Sequence, residues 1–172
     1  MLQIAFVGCA GKYSYQLGIA SHLSKILKDR ENVHYSGSSS GCYPAMLMCL
    51  GVDFDEIQQT WNIPMLKDLN KYRCGALCYW TDFVREWTLK ILPKDAYKKC
   101  NGRLHLSLTR IDWTYPFIHS EIVSMWSSNE DMVDCMMASA WIPGSFFSKQ
   151  CSLFTTYRGK TYCDGAIMNF AP

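Results

Sequence analysis

The apolar and polar positions divide the chain into alternating strand-like and helix-like segments. Leu2 to Val7 is a mostly apolar run without regular polar alternation, which suits a strand buried on both faces of a largely parallel sheet. After a glycine-bearing turn at Gly8-Cys9-Ala10-Gly11-Lys12 the period becomes helical. Leu17, Ala20, Ser24 and Leu27 fall on one face, Ile19, Leu23 and Ile26 widen it, and Lys25, Lys28, Asp29 and Arg30 lie toward the end. His34-Tyr35-Ser36 is a short β-competent lead-in, and Cys42 to Leu50 is apolar enough to pack as a buried helix. Strand, tight turn and helix therefore occur twice in succession.

From Gly51 to Cys100 the pattern is mainly helical. Asp53 suits an N-cap, with Glu56 three residues on, for a helix through Ile57 to Trp61 that Pro64 is expected to end. Trp80, Phe83, Val84, Trp87 and Ile91 form a stripe at helical spacing, expected to pack against the core. Lys98, Lys99 and Arg103 beside Asn101-Gly102 mark a solvated turn. Leu104 to Ile111 alternates with period two and predicts a strand. Asp112 to Phe117 is an aromatic, turn-bearing connection. Ser128 suits the cap of a helix whose apolar face is Met132, Val133, Met136, Met137 and Ala140, with Ile142-Pro143-Gly144 as its stop. Ser145 to Phe147 and Leu153 to Tyr157 are β-competent, and Arg158-Gly159-Lys160 turns into Thr161-Tyr162-Cys163-Asp164.

Composition narrows what these elements can belong to. With 172 residues and 49% apolar content, the chain is most simply a single domain over 1–172 with a sizeable core. A net charge of +2, carried by scattered Lys and Arg, does not favour nucleic acid as a partner. The nine cysteines are odd in number, irregularly spaced and partly inside apolar runs, which reads as reduced thiols in a cytoplasmic setting. Cys74 and Cys78, the close pair, lack the further ligands of a zinc site, so no metal is implied. The apolar N-terminus has no basic region before it, and no run approaches the roughly 18 apolar residues of a membrane span.

The candidate chemistry sits in the two turns. Gly37-Ser38-Ser39-Ser40-Gly41 reads G-x-S-x-G between a strand and a helix, the context of a nucleophile elbow that lifts a serine hydroxyl clear of the sheet. The bland alternative is a polar turn after Asn32 and Val33. The earlier turn exposes unpaired N–H groups at a helix start; Gly8 and Gly11 match neither a dinucleotide nor a phosphate-loop pattern, which leaves an oxyanion hole. Both turns would face one crevice at the carboxyl edge of the sheet.

Three separated pieces then line up: Gly8-Cys9-Ala10-Gly11 with Tyr15 to Ala20, Gly37 to Gly41, and Asp164-Gly165-Ala166-Ile167-Met168-Asn169 closing on Pro172. In order and spacing they resemble the patatin-like phospholipases, and the first piece is closest to animal lipases of the adiponutrin type. Ala140 to Gly144 looks like the family's segment before its last catalytic strand. The resemblance implies an α/β fold, a three-layer α/β/α sandwich with a mainly parallel central sheet. It also implies hydrolysis of carboxylic esters of phospholipids or acylglycerols without metal or cofactor. Ser39 would be the nucleophile and Asp164 the base, with backbone N–H groups of Gly8, Cys9, Ala10 and Gly11 as oxyanion donors and Gly37, Gly41 and Gly165 as motif glycines. The implied partner is a lipid ester, met by a cytoplasmic protein at a membrane or lipid-droplet surface.

Elementary chemistry is compatible with such a pair. A serine hydroxyl needs a base to take its proton and donors placed in advance for the oxyanion. No histidine follows Asp164, so a triad would have to use an earlier acid with His105 or His119. Ala10 and Tyr13 stand where the closest relatives commonly carry glycine, which leads to the expectation of a distorted turn and added bulk at the mouth of the site. A weak or inactive lipid-binding or scaffold protein on the same fold is the alternative these departures support. The chain stops at Pro172, consistent with a minimal fold or a fragment.

Overall fold

A computed structural model describes residues 2–27, 32–72, 79–144, 152–169 and 172. The cysteine pair at Cys74 and Cys78 and the β-competent start Ser145 to Phe147 lie outside the described residues.

The chain alternates as expected. Strand β1 (Leu2–Phe6) leads through a short 3-10 turn (Ala10–Lys12) into α1 (Tyr13–Ile26). Strand β2 (Val33–Ser38) leads through a second such turn (Ser39–Gly41) into α2 (Cys42–Leu50). Next come α3 (Phe54–Ile57), a π-helical segment (Gln58–Asn62), α4 (Ile63–Leu69), α5 (Trp80–Ile91) and α6 (Ala96–Cys100). The second half holds β3 (Leu104–Ile111), β4 (Ile118–Val123), α7 (Asn129–Ser139), β5 (Thr155–Tyr157) and β6 (Lys160–Cys163).

Caps fall where their side chains demand. Asp53 accepts hydrogen bonds from the N–H groups of Asp55 and Glu56, and Ser128 accepts from Asp131. Pro64 does not end its helix. It sits in the first turn of α4, where a missing N–H is harmless, and the π-helical segment carries the chain into it.

The described strands form one mixed sheet, the centre of the three-layer α/β/α sandwich. β1, β2 and β3 are parallel neighbours, whereas β4 and β6 run antiparallel to β3, and β5 antiparallel to β6. β1 is the outer strand of this order, so its apolar run is not buried on both faces: Phe6 is buried while Leu2 is 37% exposed. The β4 strand escapes a pattern-based reading because its isoleucines, Ile118 and Ile122, face outward. Ile19 and Ile26 likewise lie on the solvent side of α1, whose buried residues are Tyr13, Gln16, Leu17 and Ala20. Helix α2 packs on β2 with α1 and α6 beside it, and α7 packs on β3 with α5 behind it. Val33, Tyr35, Leu104, Leu106 and Leu108 from the strands join Met46, Leu47, Met132, Val133 and Met136 from these helices in one core.

The register around β3 positions the site. Leu106 and Ser107 pair with Gly37 and Ser38 of β2 and also with Val123 and Ile122 of β4. Thr109 and Ile111 pair with Cys163 and Thr161 of β6 and also with Ser120 and Ile118 of β4. One edge of β3 is thus taken by β4 and the other is shared end to end by β2 and β6. Because β2 runs with β3 and β6 runs against it, their carboxyl ends point at each other across the gap at Leu108.

Candidate active site

Ser39 and Asp164 are the residues that immediately follow these two facing strand ends. The Ser39 hydroxyl donates to Asp164 Oδ2 at 2.6 Å, and both side chains are buried. Ser39 has φ 53°, a left-handed conformation uncommon for a residue with a side chain and typical of a strained elbow. The flanking glycines permit it by close approach. A Cβ on Gly37 would stand 2.7 Å from the Gly41 carbonyl oxygen, and one on Gly41 2.3 Å from the Phe6 carbonyl oxygen.

Asp164 is held from three directions. Its Oδ1 accepts the Ala166 N–H at 2.9 Å, and its carbonyl accepts the Thr109 hydroxyl at 2.8 Å. Gly165 then passes so close to β3 that a Cβ there would fall 1.9 Å from the Ser107 carbonyl oxygen. Burial raises the Asp164 carboxyl above its ordinary value, while the bonds from Ser39 and Ala166 act in the opposite sense.

The first turn lies against this pair, and its four N–H groups are not equivalent. Gly8 N–H donates to Ser38 Oγ at 3.1 Å and Cys9 N–H to Ser40 Oγ at 3.0 Å. The hydroxyls on either side of Ser39 therefore tie the turn to the elbow. Ala10 and Gly11 open the 3-10 turn, where N–H groups have no intrahelical acceptor, and both line the same cavity as Ser39 and Ser40. Ala10 itself has φ 48°, a region that suits glycine better, so the alanine carries backbone strain in this turn.

That cavity has a volume of about 310 Å³ and mostly apolar walls that include Trp61, Met65, Val84, Met137 and Trp141. Tyr13 lines it from within the core rather than adding bulk at its mouth: the ring is buried and its hydroxyl donates to Asn62 Oδ1 at 2.9 Å. Asn62 in turn donates to Gln58 within the π-helical segment.

The histidines stand elsewhere. His105 stacks on His34 across β2 and β3, with ring nitrogens 3.1 Å apart, and burial followed by the His34 ring lowers its pKa. His119 contacts Asp112 at 2.8 Å. Neither is bonded to Ser39 or Asp164.

Sequence reasoning overlooked Ser139, at the end of α7. Its hydroxyl accepts the Ser39 N–H at 3.0 Å and its carbonyl accepts the Gly165 N–H at 2.8 Å. A lone serine at the end of a helix with three methionines carries no signal of this in the sequence.

Known proteins match this chain along nearly its whole length. A family model described as patatin-like phospholipase covers residues 4–172. The human omega-hydroxyceramide transacylase is 29% identical over 98% of this chain and 31% of its own length. Human patatin-like phospholipase domain-containing protein 4 is 26% identical over 99% of this chain and 66% of its own length. Human patatin-like phospholipase domain-containing protein 2 is 27% identical over 98% of this chain and 33% of its own length. The chain thus spans between about a third and two thirds of these relatives. With a patatin-like phospholipase family model covering all but its first three residues, the chain belongs to the patatin-like phospholipase family.

Proposed function

We propose that this chain is a serine lipid acyl hydrolase acting on carboxylic esters of phospholipids or acylglycerols. The observation that carries the reading is the 2.6 Å bond from Ser39 Oγ to Asp164 Oδ2 beside an apolar cavity. The ester's fatty-acyl chain lies in that cavity. Ser39 Oγ attacks the ester carbon as Asp164 takes its proton, and the carbonyl oxygen becomes an oxyanion facing the N–H groups of Ala10 and Gly11. Collapse breaks the carbon–oxygen bond, and the leaving alcohol recovers the proton from Asp164. Water then attacks the acyl-serine with Asp164 again as base, releasing the acid and restoring Ser39. Aspartate is an ordinarily weak base; burial, which raises its proton affinity, is what makes this role workable. Hydrolysis of a short-chain p-nitrophenyl ester tests the reading: turnover should fall by several orders of magnitude in both Ser39→Ala and Asp164→Asn. Full turnover in either variant rules the dyad out.

The relatives carry the words phospholipase and transacylase in their names, so lipid substrates are the natural class. An inactive lipid-binding role is favoured by one observation, the left-handed Ala10 in the turn that must hold the oxyanion. Unimpaired binding of a fluorescent fatty-acyl lipid together with no ester turnover in wild type would select that second reading.

Such a substrate is reached at a lipid surface. No described helix is long and apolar enough to cross a membrane. Trp113, Tyr115 and Phe117, 81%, 88% and 59% exposed, lie in the turn between β3 and β4, at the carboxyl end of β3. Exposed Trp and Tyr suit the membrane–water interface. Trp80, by contrast, lines the cavity. Replacing all three turn aromatics by alanine should abolish flotation with phosphatidylcholine vesicles while sparing hydrolysis of the soluble ester; unchanged flotation contradicts this surface.

A further inference from the structure

We infer that Ser139 is a positioning residue that holds Ser39 and Asp164 in register, an inference that rests on the dyad reading above. Ser139 is the last residue of α7 and is completely buried. A serine hydroxyl has one hydrogen and two lone pairs, and all three are used here. The hydrogen goes to the Ser107 carbonyl at 2.6 Å, while the oxygen accepts the Ser39 N–H at 3.0 Å and the Cys42 thiol at 3.3 Å. Burial raises the Cys42 thiol far above its ordinary pKa, so it remains a donor. The Ser139 carbonyl meanwhile accepts the Gly165 N–H at 2.8 Å.

One residue therefore bonds both catalytic segments, the elbow through its side chain and the Asp164-Gly165 turn through its backbone. Ser107, which accepts its hydroxyl hydrogen, pairs with Ser38 at the last position of β2. The hydroxyl consequently anchors the elbow to β3 at the gap where β2 and β6 face each other. Fixing the Ser39 N–H fixes the plane of the peptide before it and hence the direction of the Ser39 side chain. That control matters because φ 53° is a disfavoured conformation that relaxes unless its surroundings enforce it. The same bond withdraws the Ser39 N–H from the oxyanion, which leaves that task to Ala10 and Gly11.

Ser139→Ala removes the hydroxyl and leaves the Ser39 N–H and the Ser107 carbonyl without it, whereas Ser139→Cys keeps a weaker donor and acceptor of similar shape. With a soluble p-nitrophenyl ester, Ser139→Ala should lower kcat about 10–100-fold and leave KM within about twofold. The acid limb of the kcat/KM profile should move to higher pH, because a loosened Ser39 no longer lowers the Asp164 pKa. Ser139→Cys should recover part of both. Val133→Ala, in the same helix and fully buried, is the structural control and should leave the acid limb in place. Wild-type kcat with an unmoved limb in folded Ser139→Ala, or the same limb shift in Val133→Ala, overturns the inference. Should Ser139→Ala not fold, a folded Ser139→Cys with wild-type kcat and an unmoved limb overturns it equally. Full turnover in Ser39→Ala would instead overturn the dyad reading itself; an inactive Ser39→Ala beside a fully active Ser139→Ala overturns the role of Ser139 alone.

Discussion

Ser39 and Asp164 meet because β2 and β6 end facing each other on one edge of β3, with Ser38 opposite Ser107 and Cys163 opposite Thr109. Leu108 alone separates these two partners along β3. Residues far apart in the chain are brought to 2.6 Å by strand register, before any side-chain preference acts.

This dependence on register makes Gly165 critical. A methyl group there would sit 1.9 Å from the Ser107 carbonyl oxygen, a backbone atom that cannot swing aside. Gly165→Ala should displace the Asp164 turn, lower the thermal midpoint by at least about 5 °C and remove ester turnover. Differential scanning calorimetry and the p-nitrophenyl assay check both; an unchanged midpoint would mean the strands can slide apart cheaply.

The pH dependence follows from Asp164. Its carboxyl, raised by burial, must be ionised to act as base, so turnover should rise with pH through a value above that of an ordinary carboxylate. A folded-state pKa above the unfolded one means that the native state holds the proton more tightly, and stability declines as pH climbs through that window. Asp164→Asn, which stays neutral, should therefore match or exceed wild type in thermal midpoint at pH 8 while being inactive. A clearly lower midpoint would show that the ionised carboxylate is a net structural support.

Ala10 offers the opposite test. At φ 48° an alanine is strained by about 1 kcal/mol relative to a residue without a Cβ. Ala10→Gly should be neutral or stabilising by up to about 1 kcal/mol, since relief of strain is partly offset by glycine's unfolded-state entropy. It should also raise kcat severalfold if the turn carries the oxyanion. Urea unfolding and steady-state kinetics measure the two effects, and a loss in both would show that the strained alanine is needed.

Away from the site, Asp131 ties the start of α7 to β5. Although burial opposes it, bonds from Arg158, the Ser127 N–H, Tyr157 and the Ser127 hydroxyl hold its carboxyl far below the usual range. A depressed folded pKa adds stability above the unfolded pKa, and this is lost as pH falls through the folded value. Asp131→Asn should cost about 2 kcal/mol at pH 7, a figure kept modest because Arg158 is 44% exposed. The deficit should shrink on acidification, as urea titrations at pH 7 and pH 3 would show.

Much of this architecture is legible in the residues. The frame of Gly37, Ser39 and Gly41, the Asp164-Gly165 turn and the caps Asp53 and Ser128 are all local patterns, and each has the place expected of it. What depends on tertiary placement is not legible. Period two identifies Leu104 to Ile111 as a strand, but not that two strands share one of its edges. Ser38 and Ser40 look like redundant hydroxyls beside Ser39 until their bonds to the Gly8 and Cys9 N–H groups are seen. Ser139 is recognisable only through its partners on three other segments. Tyr13 enters the core because Asn62, carried on an irregular helical segment, supplies an acceptor for its hydroxyl.

Covalent labelling reports the nucleophile itself, proposed here to be Ser39. Wild-type protein treated with a fluorophosphonate should gain a single adduct, mapped by mass spectrometry to Ser39. Asp164→Asn should label far more slowly and Ser39→Ala not at all, with Ser38 and Ser40 unmodified in every case. Equal labelling of wild type and Ser39→Ala, or an adduct on Ser38 or Ser40, would contradict the account.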